Sequence, residues 1–386
     1  MTEFEEKPSY KSRPVILQVL PSLETGGAEK GCIDVAKTIT ESGGIALVAS
    51  SGGKMVRDLD RDGVYHINMP VNTKNPVRMH MNVNRLITVI RDFNVDIVHA
   101  RSRAPAWSCY KACNATKAHF MTTFHGTYNI TSALKRHYNS IMTRGKLTIA
   151  ISRFIADHME NEYQAKPEKI RLIYRGVDVD SYNPSAVPAG RIVQLAEKWR
   201  LSDGVPVIIL PGRLTRWKGQ SVLIRALAEL GEREFRCLLV GDDQGRSGYR
   251  QELVSLVKKL RLGSKVHFVG HCDDMPAAYM LADVVISAST DPEAFGRVMA
   301  EGQALGKPVI GADHGASREL ILPNETGWLV PPNKSGALAS MLKHVLSLNT
   351  SFREELALRA ISNVQANFSC TQMCAKTIDV YREVLD

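Results

Sequence analysis

Val284-Val285-Ile286-Ser287-Ala288-Ser289-Thr290-Asp291-Pro292-Glu293-Ala294-Phe295-Gly296-Arg297-Val298-Met299-Ala300-Glu301 is where the architecture first becomes legible. A short β-branched run leads through a proline-containing loop into a helical segment, so the order is strand, loop, helix. The same alternation recurs along the chain. Strands are expected at Val15–Leu20, Ile45–Ala49, Ile97–His99, Phe120–Phe124, Leu147–Ile151 and Ile170–Ile173 in the first half. In the second half they are expected at Val207–Leu210, Cys237–Val240, Val266–Phe268, Val284–Ser287 and Val309–Gly311. Apolar strands alternating with longer amphipathic stretches predict an α/β chain with doubly wound parallel sheets.

The 386 residues, at about 150 per domain, suit two large domains. Asp180–Pro206 carries Pro184, Pro188, Gly190, Gly204 and Pro206 and reads as a connection. The expected division is residues 1–185 and 186–370, with the closing helix, about 371–386, able to pack back on the first domain. A composition of 44% hydrophobic and 23% charged residues excludes a disordered chain. No apolar run approaches the ~18 residues of a membrane span, and the charged first dozen residues do not resemble a secretion signal. A cytoplasmic chain with reduced thiols is therefore expected. The helically spaced pairs Cys109/Cys113 and Cys370/Cys374 read as packing residues, since structural zinc favours tighter loop spacings. The net charge of +9 suits phosphorylated ligands or an anionic membrane surface. With 6% aromatics and no interleaved basic run, nucleic acid is not expected as a partner.

Ligands of such sheets bind beyond the carboxyl ends of strands. After the first strand, Gly26-Gly27 opens a helix and lets a ligand approach the backbone, although neither a dinucleotide fingerprint nor a P-loop is present. His125-Gly126 stands at another strand end. Arg213, Arg216 and Lys218 gather where a helix is expected to begin with Lys218-Gly219-Gln220; cations there oppose the helix dipole and suggest a held anion, for which a guanidinium and an ammonium fit a diphosphate. Glu293 lies in a loop and Glu301 about two turns into the following helix, ~12 Å along the axis if helical throughout. Each feature has an ordinary reading by itself: a tight turn, a structural histidine, a solvated charge run, capping acids.

In combination and in order, these segments resemble the GT-B-fold, family 4 retaining glycosyltransferases. The matching parts are Gly26-Gly27-Ala28-Glu29, His125-Gly126, Ile151-Ser152-Arg153-Phe154-Ile155, Gly176-Val177-Asp178, Gly212-Arg213 with Lys218-Gly219, and the pair Glu293/Glu301. Gly306-Lys307-Pro308-Val309-Ile310 and Asn324-Glu325-Thr326-Gly327-Trp328-Leu329-Val330 match as well. The resemblance implies two Rossmann-like domains facing a cleft, the first on the acceptor side and the second binding a nucleotide-sugar donor. It implies that Arg213 and Lys218 hold the donor diphosphate and Glu301 the ribose hydroxyls. Glu293 would contact the transferred sugar with the Phe295 and Gly296 amides, His125 the sugar near its 6-position, and Gly26-Gly27 the phosphates and acceptor. No metal or other cofactor is implied, and Asp242-Asp243 and Asp273-Asp274 are weak metal signals.

Three positions depart from the family pattern: Arg175 replaces a common Asn, Ala294 a frequent Pro, and Arg297 an aliphatic residue. Arg297 would add a phosphate or carboxylate contact. The wording around Glu293 and Arg213 most resembles bacterial lipopolysaccharide-core mannosyltransferases, which implies GDP-mannose as donor and a glycolipid acceptor, with the chain peripheral on the inner face of the cytoplasmic membrane. The other readings are a GT-B sugar-nucleotide epimerase and a non-catalytic nucleotide-sugar binding protein.

Overall fold

A computed structural model describes residues 13–24, 26–245 and 247–386. The first dozen residues, on which the expectation about secretion rests, lie outside that set, as do Thr25 and Arg246. The chain divides into two compact units. Of the described residues, one holds those up to Ile151, Ile155–Ile173 and Cys374–Asp386; the other holds Ser152–Phe154 and those of Tyr174–Met373. The Pro- and Gly-rich stretch from 180 to 206 thus lies within the second unit.

The first unit is built on a seven-stranded parallel sheet: β1 (Val15–Val19), β2 (Ile45–Ser50), β3 (Tyr65–Asn68), β4 (Ile97–Ala100), β5 (His119–Phe124), β6 (Thr148–Ala150) and β7 (Ile170–Leu172). Their order is β3-β2-β1-β4-β5-β6-β7. Leu17 of β1 stands opposite Leu47 on one side and Val98 on the other. Every residue of β1 and β4 is buried, as expected of strands covered on both faces. The second unit has β8 (Val207–Pro211), β9 (Arg236–Val240), β10 (Val266–Gly270), β11 (Val284–Ser287), β12 (Val309–Ala312) and β13 (Trp328–Val330), in the order β10-β9-β8-β11-β12-β13. Its core gathers Ile208, Leu210, Leu223, Leu239, Ile286 and Leu342. Both sheets are doubly wound, and strand order reverses between β1 and β4 and between β8 and β11.

Two strands carry no clear sequence signal. β3 is an edge strand whose Tyr65 is 63% exposed, so it needs no buried apolar run. β13 is three residues long on the opposite edge of its sheet, too short for a periodicity to emerge.

The closing helix, Cys370–Leu385, contributes its residues from Cys374 onward to the first unit. There the Tyr381 hydroxyl lies 2.7 Å from His99 Nδ1, and His99 Nε2 lies 2.7 Å from Thr123 Oγ1. Lys146 Nζ donates to the Val384 carbonyl at 2.6 Å, and Arg171 pairs with Glu383. Burial holds the His99 pKa well below the usual histidine value, and the nearby Arg101 charge pushes the same way. The unfolded chain is then the better proton binder at mildly acid pH. Stability is complete above about pH 6.5 and is lost progressively as pH falls toward the folded-state value. Melting temperature should fall from about pH 7.5 to about pH 5.5. His99→Gln should shallow that slope without flattening it, because His66, His119 and His158 are lowered by burial too. An unchanged slope would remove His99 from the account.

Candidate active site

The loops leaving β8 and β11 are joined backbone to backbone. Thr290 N donates to the Trp217 carbonyl at 2.7 Å, closing the turn Arg216–Lys218 against the β11 loop. Gly219 follows in the left-handed region at φ 71°, and any side chain there would strike the Ala288 carbonyl. The α-helix begins only at Gln220, so Lys218 precedes it instead of starting it. Its Nζ lies 4.3 Å from the Trp217 ring centroid and donates to Glu293 Oε1 at 2.5 Å. Ser289 Oγ donates to the same oxygen at 2.6 Å. The Lys218 and Glu293 side chains are 16% and 11% exposed, which makes this a largely desolvated, charge-assisted pair.

The backbone around Glu293 is fixed from two other segments. Its carbonyl accepts from Ala316 N at 3.0 Å, with Gly315 close against it. Ala294 O accepts from Ser152 Oγ at 2.6 Å. The amides of Arg153 and Phe154 in turn donate to the Glu319 carboxylate at 2.7 and 2.8 Å. The Ile-Ser-Arg-Phe segment, a part of the resemblance to which the sequence assigned no role, thus helps hold the Glu293 loop.

Glu293 and Glu301 do not share a helix. Gly296, at φ 96°, caps the helix Arg297–Ala304, so the four residues from Glu293 to Gly296 are non-helical and Glu301 lies about one turn in. Glu301, 6% exposed, accepts from Arg297 at 2.6 Å and from the Tyr279 hydroxyl at 2.9 Å. Each carboxylate oxygen keeps acceptor capacity for a further hydroxyl. The Glu301 charge raises the Arg297 pKa, while burial and then Glu301 raise those of Tyr279 and Tyr182, so both phenols stay protonated donors. Arg297 is therefore engaged with an acid of its own helix. Phe295, 4% exposed, packs edge-on against Phe368 at 5.9 Å.

Of the three clustered cations, Arg216 turns away to a bidentate pair with Glu252 at 2.7 and 2.6 Å. Arg213 is exposed, and NH1 donates to Gln244 Oε1 at 3.3 Å. The adjacent acids serve local structure. Asp243 accepts from Gly245 N, while Asp274 caps the helix Met275–Met280 and pairs with Arg191. Among the described residues, no group of three or more His, Cys, Asp or Glu could hold a metal ion, and no helix is long and apolar enough to cross a membrane. Among the described residues, none of the seven cysteines is joined in a disulfide.

In the first unit, the loops after β1, β4 and β5 line a cavity of about 250 Å³ that includes Glu29, Arg101, Arg103, His125 and Tyr128. Gly27 begins the helix Gly27–Glu41, and a side chain at Gly26 would collide with the Glu29 carboxylate. Burial pushes the Tyr128 phenol up to about 12, against the lowering influence of Arg103. Sequence reading missed Arg101, Arg103, Tyr279, Ser289 and Glu319. The only signal for the two arginines was position, immediately after the fourth strand.

A model of glycosyl transferases group 1 matches residues 193–365, and one of glycosyltransferase family 4 matches residues 25–181. A solved glycosyltransferase from Rickettsia africae ESF-5 is 40% identical over 97% of this chain and all of its own, with a TM-score of 0.91. The chain belongs to the group 1, family 4 glycosyltransferases. A D-inositol 3-phosphate glycosyltransferase of Xylanimonas cellulosilytica is 32% identical over 61% of this chain, and the match spans 56% of that protein. Anabaena HepE, solved in complex with UDP and glucose, is 25% identical over 95% of this chain and 99% of its own, with a TM-score of 0.81. The GT-B fold expected from the sequence agrees with these neighbours.

In this glycosyltransferase, removing Lys218 strands a buried carboxylate. Lys218→Met should cost about 3 kcal/mol in urea unfolding, and adding Glu293→Gln should return more than half of that. A double variant whose loss is the plain sum of the two single losses contradicts the pairing.

Proposed function

We propose that this glycosyltransferase moves a hexosyl group, with retention and without a metal ion, from a nucleoside-diphosphate hexose to a hydroxyl of a glycolipid acceptor in cell-surface glycan synthesis. The observation that carries the reading is the desolvated Lys218–Glu293 pair on the two loops where strand order reverses, with Arg213 on the same loop as Lys218. Arg213 and Lys218 would stabilise the diphosphate as its negative charge grows. Glu293 would accept from the sugar's hydroxyls, with the Phe295 and Gly296 amides beside it, and Glu301 from the ribose. The bond from sugar C1 to the phosphate oxygen breaks, the acceptor oxygen bonds to C1 on the same face, and its proton passes to the departing phosphate. No protein base is needed in that route. Gly26, Gly27 and His125 would serve the acceptor side.

The motif wording supports GDP-mannose and a lipopolysaccharide-core acceptor. The UDP and glucose in the HepE complex support a uridine donor. For membrane contact, Leu134, 83% exposed, stands beside Lys135 and Arg136 on the helix Ala133–Ser140. Lys146 and Arg144 lie just beyond it and are exposed as well.

Nucleotide release from GDP-mannose and UDP-glucose, with and without EDTA, tests the reading. One donor should turn over undiminished in EDTA and faster with lipid acceptor in anionic vesicles than in neutral ones. Arg213→Ala should lower that turnover by about 100-fold or more with melting temperature unchanged. Near-wild-type turnover in the variant would refute the diphosphate role. Conversion of the donor to its epimer without acceptor would establish the epimerase instead.

A further inference from the structure

Among the described residues of the first unit, one buried arginine has no acid partner. Arg101, at the carboxyl end of β4, is 4% exposed. One terminal nitrogen donates to the neutral Gln18 Oε1 at 2.6 Å, and its buried Nε has no hydrogen-bond partner among the described residues. Gln18 is held in turn, its amide nitrogen donating to the Cys32 carbonyl at 3.0 Å. Two residues on, Arg103 donates to another neutral group, Asn139 Oδ1, at 2.8 Å, and lies 3.9 Å over the Tyr128 ring. Both arginines line the same cavity with Ser102 and His125. The acid on its wall, Glu29, is folded against Gly26 at the start of its own helix.

A buried guanidinium without a carboxylate is costly, and a positively charged recess is suited to an oxyanion. The amide ends of the helices Gly27–Glu41 and Arg103–Asn114 adjoin the lining residues and favour the same sign of ligand. We propose that this cavity binds an oxyanion, a phosphate or a carboxylate, carried by the acceptor, with Arg101 and Arg103 as its ligands. The acceptor would then be an acidic or phosphorylated glycoside instead of a neutral one. The identity of the anion's carrier rests on the glycosyl-transfer reading above; the anion site itself does not.

The test titrates the full chain with inorganic phosphate and, separately, with acetate, following the Arg101 Nε–H resonance by NMR. The expected result is a saturable shift with at least one of the two. Stronger binding of phosphate indicates a phosphorylated acceptor, and stronger binding of acetate an acidic sugar. Arg103→Gln, at a half-buried position, should weaken the binding about tenfold or more through loss of one charge-assisted contact. The proposal is overturned if neither anion moves the Arg101 signal, or if Arg103→Gln leaves the titration unchanged. Anion binding alongside failure of every nucleotide sugar would remove the donor reading and keep the site. Nucleotide-sugar turnover with a silent Arg101 would do the reverse.

Discussion

Reversal of strand order within a parallel sheet is the constraint from which both candidate sites follow. Each strand delivers its chain to the same edge, and the connections on the two sides of the reversal run to opposite faces. The loops after β1 and β4, and those after β8 and β11, therefore separate and leave a recess at the carboxyl edge. Arg101, Arg103 and the Gly26-Gly27 turn lie at the first reversal; Lys218 and Glu293 lie at the second. Buried central strands supply the rigidity that such polar side chains need, because β1, β4, β8 and β11 are covered along their lengths.

Within the second unit the reversal alone would not fix the chemistry. Lys218 and Glu293 sit on different loops, and bringing both out of water costs free energy that their attraction offsets only with good geometry. That geometry comes from backbone contacts: Thr290 to Trp217, Gly219 against Ala288, Ala316 to Glu293 and Ser152 to Ala294. The left-handed glycines 219, 296 and 315 admit approaches that a side chain would block. Such a site gives up stability to be preorganised, and in the proposed reaction its charges would not need to reorganise as the diphosphate leaves.

The fold was legible because buried parallel strands are continuous apolar runs, as in Val207–Pro211 and Val284–Ser287. The edges were not, since Tyr65–Asn68 and Trp328–Val330 are half-exposed or very short. At the site, residue types and order pointed to Lys218, Glu293 and Glu301, and local geometry did not follow. Spacing along the chain does not reveal that Gly296 delays the helix or that Arg216 turns to Glu252. Tyr279 and Ser289 were invisible because they act through contacts made only by folding. Arg101 was hidden for the same reason: in sequence it is one of many basic residues, and its burial is a property of the folded unit.

The central claim is that the paired charges after β8 and β11 form the diphosphate and sugar site. The most direct test is a crystal structure of the full chain with whichever of GDP-mannose or UDP-glucose it binds. The account predicts diphosphate oxygens within hydrogen-bonding distance of Arg213 and Lys218, and sugar hydroxyls on Glu293. A nucleotide bound with its diphosphate away from both cations would contradict it.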